Sequence, residues 1–229
     1  MCKFYQFYTK SEKMSSKINL QVWDCRSRST EPIQTLEEAK DTVTSLDVSA
    51  HEILVGSGDG RARLYDLRAG SLLTDTLGGS VSSVKFTRDG QCILASCVGQ
   101  SLKLMDKTNG EMLSEFKGHV NKDYKLDSCL DHTDQLVISG SEDSKVYLWD
   151  LVTGEVVGKL DHGANTGTVH SLAVHPARSM LVAAQRGTVT VWQDREGYEE
   201  DEEEEVVMSS ANAFDMPPHW LEKHPKAVR

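Results

Sequence analysis

Three residues of this chain have the types needed for nucleophilic catalysis: His119, Ser139 and Asp143. A serine that is activated by a histidine, which an aspartate in turn orients, is the arrangement of many hydrolases. In a common form of that site the serine stands on a sharp turn between a strand and a helix. Ser139 instead follows the apolar run Leu136 to Ile138, which predicts a β-strand. The sequence therefore favours a structural role for these residues over catalysis.

Two further patterns resemble ligand sites. Gly56 to Gly60 (GSGDG) is as rich in glycine as a phosphate loop, but it lacks the Lys-Ser/Thr ending and a following helix. We therefore expect a hairpin turn there. The pairs His170/His175 and His219/His224 have a spacing that suits no helix face, and neither pair has a Cys or carboxylate partner at metal spacing. We expect no metal and no cofactor.

The formal net charge of −10 is concentrated near the end of the chain. Eight acidic residues account for most of it: Glu196, Glu199, Glu200, Asp201, Glu202, Glu203, Glu204 and Glu205. Such a run repels itself, so we expect a disordered tail that binds Ca²⁺ or Mg²⁺ weakly if at all. The rest of the chain is nearly neutral, which argues against direct nucleic-acid binding.

Cysteine use and hydropathy indicate the compartment. The five cysteines are odd in number and show no CxxC spacing, and no charged-then-apolar leader opens the chain. No apolar run approaches the roughly 20 residues that cross a bilayer. We expect a reduced, soluble protein of the cytoplasm and nucleus that does not bind membranes.

The elements that would position these residues belong to a repeat. Gln135 to Asp150 (QLVISGSEDSKVYLWD) predicts a strand, a tight turn and a second strand, with Gly118-His119 upstream and Trp149-Asp150 at its end. Equivalent positions recur with spacings of 42, 40, 44 and 43 residues, at Trp23, Tyr65, Met105, Trp149 and Trp192. The period and the two dipeptides are typical of four-stranded propeller blades. The chain thus resembles the WD-repeat family, an all-β class.

Each repeat predicts the same four strands. First strands are expected at Val43 to Val48, Val81 to Phe86, Tyr124 to Leu130 and Val169 to Val174. Second strands are expected at Glu52 to Val55, Cys92 to Ala95, Leu136 to Ile138 and Met180 to Ala183. Third strands follow at Ala62 to Tyr65, Leu102 to Met105, Val146 to Trp149 and Thr188 to Trp192. Outer strands are expected at Ile33 to Leu36, Leu72 to Leu77, Met112 to Phe116 and Val156 to Leu160.

This pattern gives one partial blade, three complete blades and a last blade without an outer strand. We divide the chain into a loosely ordered leader (1–15), the blades (16–195) and an acidic, mostly disordered tail (196–229). Blades bury their apolar faces only on neighbours, so an incomplete ring leaves two faces exposed. The alternatives are a fragment, an alternative start of a longer protein, or closure by another chain.

The WD-repeat resemblance gives the polar residues a role. In that family a His, a Ser or Thr, an Asp and a Trp form a hydrogen-bonded set that ties each interblade loop to the inner strands. His119, Ser139, Asp143 and Trp149 occupy the matching positions. Other repeats match less well: Asp59 is kept, Tyr65 replaces Trp, and Gly99 and Arg186 stand where Asp would be.

Two arginines suggest an alternative function. Arg26 and Arg68 each lie two residues after the Asp of a repeat, and Ile53 to Arg68 resembles the sixteen-residue box of adaptors that load substrates onto cullin-4 ubiquitin ligases. Arginines at the start of surface loops are the simpler interpretation. The adaptor reading stays open as the alternative.

A narrower resemblance covers Val22 to Tyr198. It rests on the segments WDCRSR, QTLEEA, HEILVGSGDGRARLYDLRAG, RDGQC, KGH with YKLD, and SEDSKV. These are similar to WD-repeat proteins that organise mitogen-activated protein kinases. The resemblance implies seven blades, of which about the first three have no counterpart here, and a non-catalytic scaffold. Its implied partners are kinases of the extracellular-signal-regulated cascade, spliceosome components and a hypoxia-sensing prolyl hydroxylase.

Overall fold

The structure is a computed structural model that describes residues 9–10, 19–24, 26, 30–99, 101–162 and 167–193. These residues form eighteen β-strands and no helix. The strands pair antiparallel into five sheets, and each sheet uses consecutive strands of the chain. No helix able to span a membrane occurs in this part of the chain.

The first sheet contains β1 (Thr9–Lys10), β2 (Asn19–Val22) and β3 (Gln34–Leu36). The second sheet contains β4 (Val43–Val48), β5 (Glu52–Ser57), β6 (Arg61–Asp66) and β7 (Ser71–Thr76). The third contains β8 (Val81–Phe86), β9 (Cys92–Cys97), β10 (Leu102–Asp106) and β11 (Met112–Phe116). The fourth contains β12 (Ser128–Leu130), β13 (Leu136–Gly140), β14 (Lys145–Asp150) and β15 (Val156–Asp161). The fifth contains β16 (Ser171–Val174), β17 (Met180–Gln185) and β18 (Thr188–Gln193).

The predicted fold class is confirmed: the protein is all-β, and its sheets have the order of propeller blades. Three sheets have four strands, and the described parts of the first and last have three. Each predicted second, third and outer strand overlaps a strand of the structure. The acidic run and Val206 to Arg229 lie outside the described residues, as do Cys2 and Cys25.

One predicted first strand is much shorter than expected. The sequence predicts a strand over Tyr124 to Leu130, but β12 begins only at Ser128. The carboxylate of Glu142 accepts the backbone N–H groups of Lys122, Asp123 and Tyr124 at 2.7, 2.8 and 3.1 Å. Amides that point at one carboxylate cannot join a ladder, so the segment forms a loop over the fourth sheet.

The turns between second and third strands also differ in detail. In the second sheet the turn residue with a positive φ is Gly60 (φ 77). In the fourth sheet Ser144, not Asp143, is left-handed (φ 68), and its hydroxyl accepts the N–H of Gly167 at 2.8 Å. A hydrogen bond from the next blade thus helps to offset the cost of the strained turn residue.

The core lies between successive sheets. Four apolar clusters fill the four spaces, and each combines residues of two neighbouring sheets. All residues of β5 and β13 are buried, which means that both faces of those strands are covered. Continuous apolar second strands therefore follow from burial on two sides.

Neighbouring blades approach closely at Gly140, at the end of β13. A Cβ atom built on Gly140 would overlap the carbonyl oxygen of Val169, in the next blade. The N–H of Val169 donates to the carbonyl of Ser141 at 3.0 Å, which holds the two chain segments together. The absence of a side chain at Gly140 is a condition for this contact.

We predict that Gly140→Ala destabilises the protein by roughly 3 kcal/mol, because the added methyl must displace backbone. Urea unfolding followed by circular dichroism measures the change. Gly70→Ala is the control, since nothing lies within 4 Å of its Cβ and it carries only the cost of a φ of 63°, about 1 kcal/mol. Equal losses in the two variants would contradict the close approach.

Candidate functional site

The four residues of the predicted set come from consecutive elements of the fourth blade. His119 lies in the loop between β11 and β12, Ser139 in β13, Asp143 in the turn before β14, and Trp149 in β14. The His119 ring meets Trp149 edge-on, with centroids 5.4 Å apart and planes at 86°. The structure thus places these residues around one blade edge.

The hydrogen bonds differ from the expected ones. Trp149 Nε1 donates to the carbonyl of Lys117 at 2.9 Å, and the hydroxyl of Ser139 donates to the carbonyl of Gly140 at 3.0 Å. The carboxylate of Asp143 accepts a hydrogen bond from the phenol of Tyr147 at 2.7 Å. Both ring nitrogens of His119 are buried and lack a hydrogen-bond partner among the described residues.

The geometry of the fourth blade differs from that of a serine-hydrolase site. Ser139 is fully buried, and its hydroxyl is bonded to a backbone carbonyl rather than to a histidine. Burial lowers the pKa of His119 to about 4, although the nearby Asp143 and Glu142 oppose that shift. A serine without a base beside it is not activated.

Tyr147 also belongs to this group of side chains, although the repeat pattern did not indicate it. It lies two positions before Trp149 on β14, so strand periodicity places both rings on one face, and they stack with centroids 5.7 Å apart. The Lys159 ammonium lies over the Tyr147 ring, 4.8 Å from its centroid. The sequence signal that could have identified Tyr147 is the alternation of side chains along β14, which puts Tyr147 on the same face as Trp149.

In the second blade an ion pair, Arg63 with Asp59, stands where the fourth blade has Tyr147 with Asp143. Arg63 lies two positions before Tyr65, as Tyr147 lies before Trp149, and its side chain is 2% exposed. Its guanidinium donates to Asp59 Oδ2 at 2.6 Å and to the hydroxyl of Ser57 at 2.7 Å. Burial alone would raise the pKa of Asp59, but hydrogen bonds from Arg63 and Ser57 hold it well below its ordinary value.

In the third and fifth blades, the residue two positions before the Trp position has other partners. Gly99 supplies no carboxylate, and Lys103 of β10 donates to the carbonyl of Leu77 in the preceding blade at 2.9 Å. In the fifth blade Thr190 lies 3.2 Å from Nδ1 of His162, and Nε2 of that ring lies 3.1 Å from the carbonyl of Ala183. His162, which no sequence pattern indicated, is the counterpart of His119 and packs edge-on against Trp192.

The two adaptor arginines are exposed and lie in matching turns. The backbone N–H of Arg26 donates to Asp24 Oδ1 at 2.9 Å, and that of Arg68 donates to Asp66 Oδ1 at 2.8 Å. The turn at Arg26 follows β2, and the turn at Arg68 follows β6. The aspartate of the repeat therefore fixes the backbone at each arginine.

A groove forms where the fourth and fifth blades meet. It has a volume of about 490 Å³ and is lined by Tyr124, Glu142, Asp143, Ser144, Gly167, Thr168, His170 and Arg186. We call it the Tyr124 groove. Tyr124 is 52% exposed and packs edge-on against His170, with centroids 5.5 Å apart. Burial opposes ionisation of Glu142, but three backbone N–H donors keep its pKa below the ordinary value.

The structure also shows where the candidate phosphate loop and metal ligands lie. Gly58, Asp59 and Gly60 form the turn of the β5–β6 hairpin, as expected, and a strand rather than a helix follows. The described residues contain no cluster of three or more His, Cys, Asp or Glu side chains that could hold a metal ion. His219, His224 and the acidic run lie outside them.

We predict that His119 makes stability fall between pH 6.5 and pH 4. The unfolded chain binds a proton near the ordinary pKa of 6.5, whereas the folded ring resists it until about 4. The linked loss reaches roughly 3 kcal/mol at pH 4. In urea titrations His119→Phe should lose that much less over this range than the parent. Parallel curves for His119→Phe and the parent would contradict the burial of a neutral ring.

We further predict that Asp59→Asn costs more stability than Asp143→Asn. The first change leaves the buried Arg63 without its carboxylate, at a cost of about 3 kcal/mol or more. The second removes a charged acceptor from one phenol, at a cost of about 2 kcal/mol. Urea unfolding of both variants at pH 7 gives the comparison, and a larger loss for Asp143→Asn would refute this account.

Known proteins share this repeat and sequence. The family model "WD domain, G-beta repeat" matches residues 30–66 and 110–150. The chain is 50% identical to WD repeat domain-containing protein 83 of Rattus norvegicus over 175 residues, which are 76% of this chain and 55% of that protein. The human protein of that name is also 50% identical, over 77% of this chain and 55% of its own length.

A more distant relative and a solved structure are also similar to this chain. The Dictyostelium discoideum homolog of WD repeat domain-containing protein 83 is 34% identical, over 80% of this chain and 64% of its own length. The crystal structure of the computationally designed Ika4 protein matches with a TM-score of 0.58 at 23% identity, over 69% of this chain and 94% of that one, which supports the fold alone. The chain spans about half the length of the mammalian relatives. It belongs to the WD-repeat family of β-propeller proteins, with sequence relatives among proteins named WD repeat domain-containing protein 83.

Proposed function

We propose that this protein is a non-catalytic scaffold that binds components of the extracellular-signal-regulated kinase cascade. The observation that carries the proposal is the Tyr124 groove, which has a volume of about 490 Å³ and a half-exposed aromatic ring where two blades meet. The resemblance of Val22 to Tyr198 to WD-repeat proteins that organise mitogen-activated protein kinases supports it.

The chemistry of the groove suits a peptide segment. Tyr124 offers apolar area at a small loss of side-chain entropy, and tyrosine and arginine are enriched among residues that dominate interfaces. Arg186 provides a cation at one side of the groove, and Glu142 is held in place by three backbone amides. A segment with an apolar anchor flanked by an acidic group fits this arrangement.

We include further partners in the proposal: spliceosome components and a hypoxia-sensing prolyl hydroxylase, bound in the cytoplasm and nucleus. Contacts with splicing complexes would run through proteins, because the chain outside its acidic run is nearly neutral and a nucleic-acid surface needs clustered cations. No membrane role is proposed.

We predict that Tyr124→Ala combined with Arg186→Gly weakens kinase binding at least about tenfold, because the change removes an anchor and a charge. Glycine also suits the φ of 42° at position 186. Affinity purification of the tagged chain, followed by titration with the recovered kinase, measures the effect. Val152→Ala, at a side chain that is 86% exposed in the loop after β14, is the matched control. Unchanged kinase binding would remove the groove from the proposal.

A second function, substrate adaptor for a cullin-4 ubiquitin ligase, is favoured by the matching turns at Arg26 and Arg68. Both arginines follow an aspartate that fixes the local backbone, so a partner would meet them in a defined geometry. If this function holds, the same purification recovers cullin-4 adaptor proteins, and Arg26→Ala with Arg68→Ala abolishes the recovery. Kinase recovery that survives this double change would favour the scaffold.

A further inference from the structure

A basic groove lies where the loop between β11 and β12 meets the third blade. It has a volume of about 470 Å³ and is lined by Gly99, Ser101, Lys103, Glu115 and residues 117–122. We call it the Lys103 groove. Three lysines (Lys103, Lys117 and Lys122) and one glutamate line it, and His119 is neutral at pH 7 because burial lowers its pKa to about 4. The groove therefore has an excess of two positive charges, in a chain whose net charge is −10.

The third blade lacks an anion that the second and fourth blades have. In those two blades the turn between second and third strands supplies Asp59 or Asp143, whose carboxylate binds the side chain two positions before the Trp position. The third blade keeps a cation at that position, Lys103, but has Gly99 in place of the aspartate. Nothing lies within 4 Å of a Cβ atom built on Gly99, so the turn leaves room for a group from outside.

The contacts that these lysines make within the chain leave the groove positive. Lys103 Nζ donates to the carbonyl of Leu77 at 2.9 Å, which is a neutral acceptor. Lys117 Nζ lies 2.7 Å from Glu115 Oε2, and the Lys117 side chain is 71% exposed. Hydrogen bonds from Lys117 and Ser101 lower the pKa of Glu115, and the charge of Lys103 adds to this effect. An ammonium group has three N–H donors, so each of these lysines can bind a further acceptor.

The loop that forms one side of the groove is held by both neighbouring blades. On the side of the third blade, the N–H of Gly99 donates to the carbonyl of Asn121, and Asn121 Nδ2 donates to the carbonyl of Cys97, both at 3.0 Å. On the side of the fourth blade, the N–H of Val120 donates to the hydroxyl of Ser141 at 2.9 Å. A site whose walls are already fixed loses less entropy when a ligand binds.

We propose that the Lys103 groove binds an acidic peptide segment of a partner protein, whose carboxylates contact Lys103 and Lys117. One carboxylate takes the place of the turn aspartate that the third blade lacks, and two neighbouring acidic side chains balance the excess of two positive charges. A carboxylate is the group that this repeat uses at the same place in two other blades. The proposal is independent of the kinase-scaffold function and of the Tyr124 groove, because it rests on other residues.

We predict that the full-length chain binds the capped peptide Gly-Glu-Glu-Gly at least about tenfold more tightly than Gly-Gln-Gln-Gly at pH 7 and low salt, because charged hydrogen bonds are the stronger ones. Nuclear magnetic resonance titration of the isotope-labelled chain measures both affinities. The amide signals of Gly99 and Gly118 should shift, and that of Gly90, which does not line the groove, should not. Equal affinity for the two peptides would overturn the proposal, as would binding of a phosphoserine peptide without binding of the glutamate peptide.

Gly99→Asp tests the site itself, because it supplies the missing carboxylate from within the chain. This variant should bind Gly-Glu-Glu-Gly at least about tenfold more weakly than the parent, since like charges then meet in the groove. Gly99→Asn is the matched control: it has the same shape without the charge, and asparagine and aspartate both tolerate the φ of 74° at this position. Equal losses in the two variants, or unchanged binding by a folded Gly99→Asp, would contradict the proposal.

A second pair of variants tests the positive charge. Lys103→Gln removes one charge and keeps an N–H donor for the carbonyl of Leu77, and it should weaken peptide binding at least about fivefold. Lys40→Gln, at an exposed lysine that does not line the groove, should bind like the parent. Circular dichroism shows whether each variant is folded. Loss of peptide binding in Tyr124→Ala would assign the peptide to the Tyr124 groove and overturn the proposal.

Discussion

The burial of one sheet face on the next is the interaction on which the rest of this structure depends. No sheet here has a helix to cover it among the described residues, so each apolar face is removed from water only by its neighbour. Leu54 and Leu64 are buried because the third sheet exists, and Ile138 and Leu148 because the fifth does. The stability of each blade is therefore a property of pairs of blades.

Close stacking requires that buried polar groups at the blade edges be satisfied, and the blades do this in different ways. The third-strand position two residues before the Trp position is Arg63, Lys103, Tyr147 or Thr190. Arg63 and Tyr147 bind the turn aspartate, Lys103 reaches a carbonyl of the preceding blade, and Thr190 contacts His162. The same strand position thus anchors the turn in two blades and contacts a preceding segment of the chain in the other two.

Because these polar residues are used inside the blades, the exposed side chains at the blade junctions come from the loops. The aspartates, serines and histidines that suggested catalysis are used inside the frame, whereas Tyr124 and Arg186 project from loops at a blade junction. A rigid frame limits the entropy that such residues lose on binding, which is a common basis for recognition. The same reasoning connects the fold to a protein-interaction scaffold.

The sequence by itself determined the class of fold, the number of repeats and nearly all strand positions, because alternation, turn residues and a period near 42 residues are local signals. It also indicated that Gly56 to Gly60 is a hairpin turn. Only the tertiary structure decided which polar groups pair: that Trp149 binds the carbonyl of Lys117, that Arg63 takes the place of an aromatic ring, and that Glu142 prevents Tyr124 from entering a strand. Those contacts join residues from separate segments, and a side chain with several acceptors within reach is committed to one of them only by the packing around it.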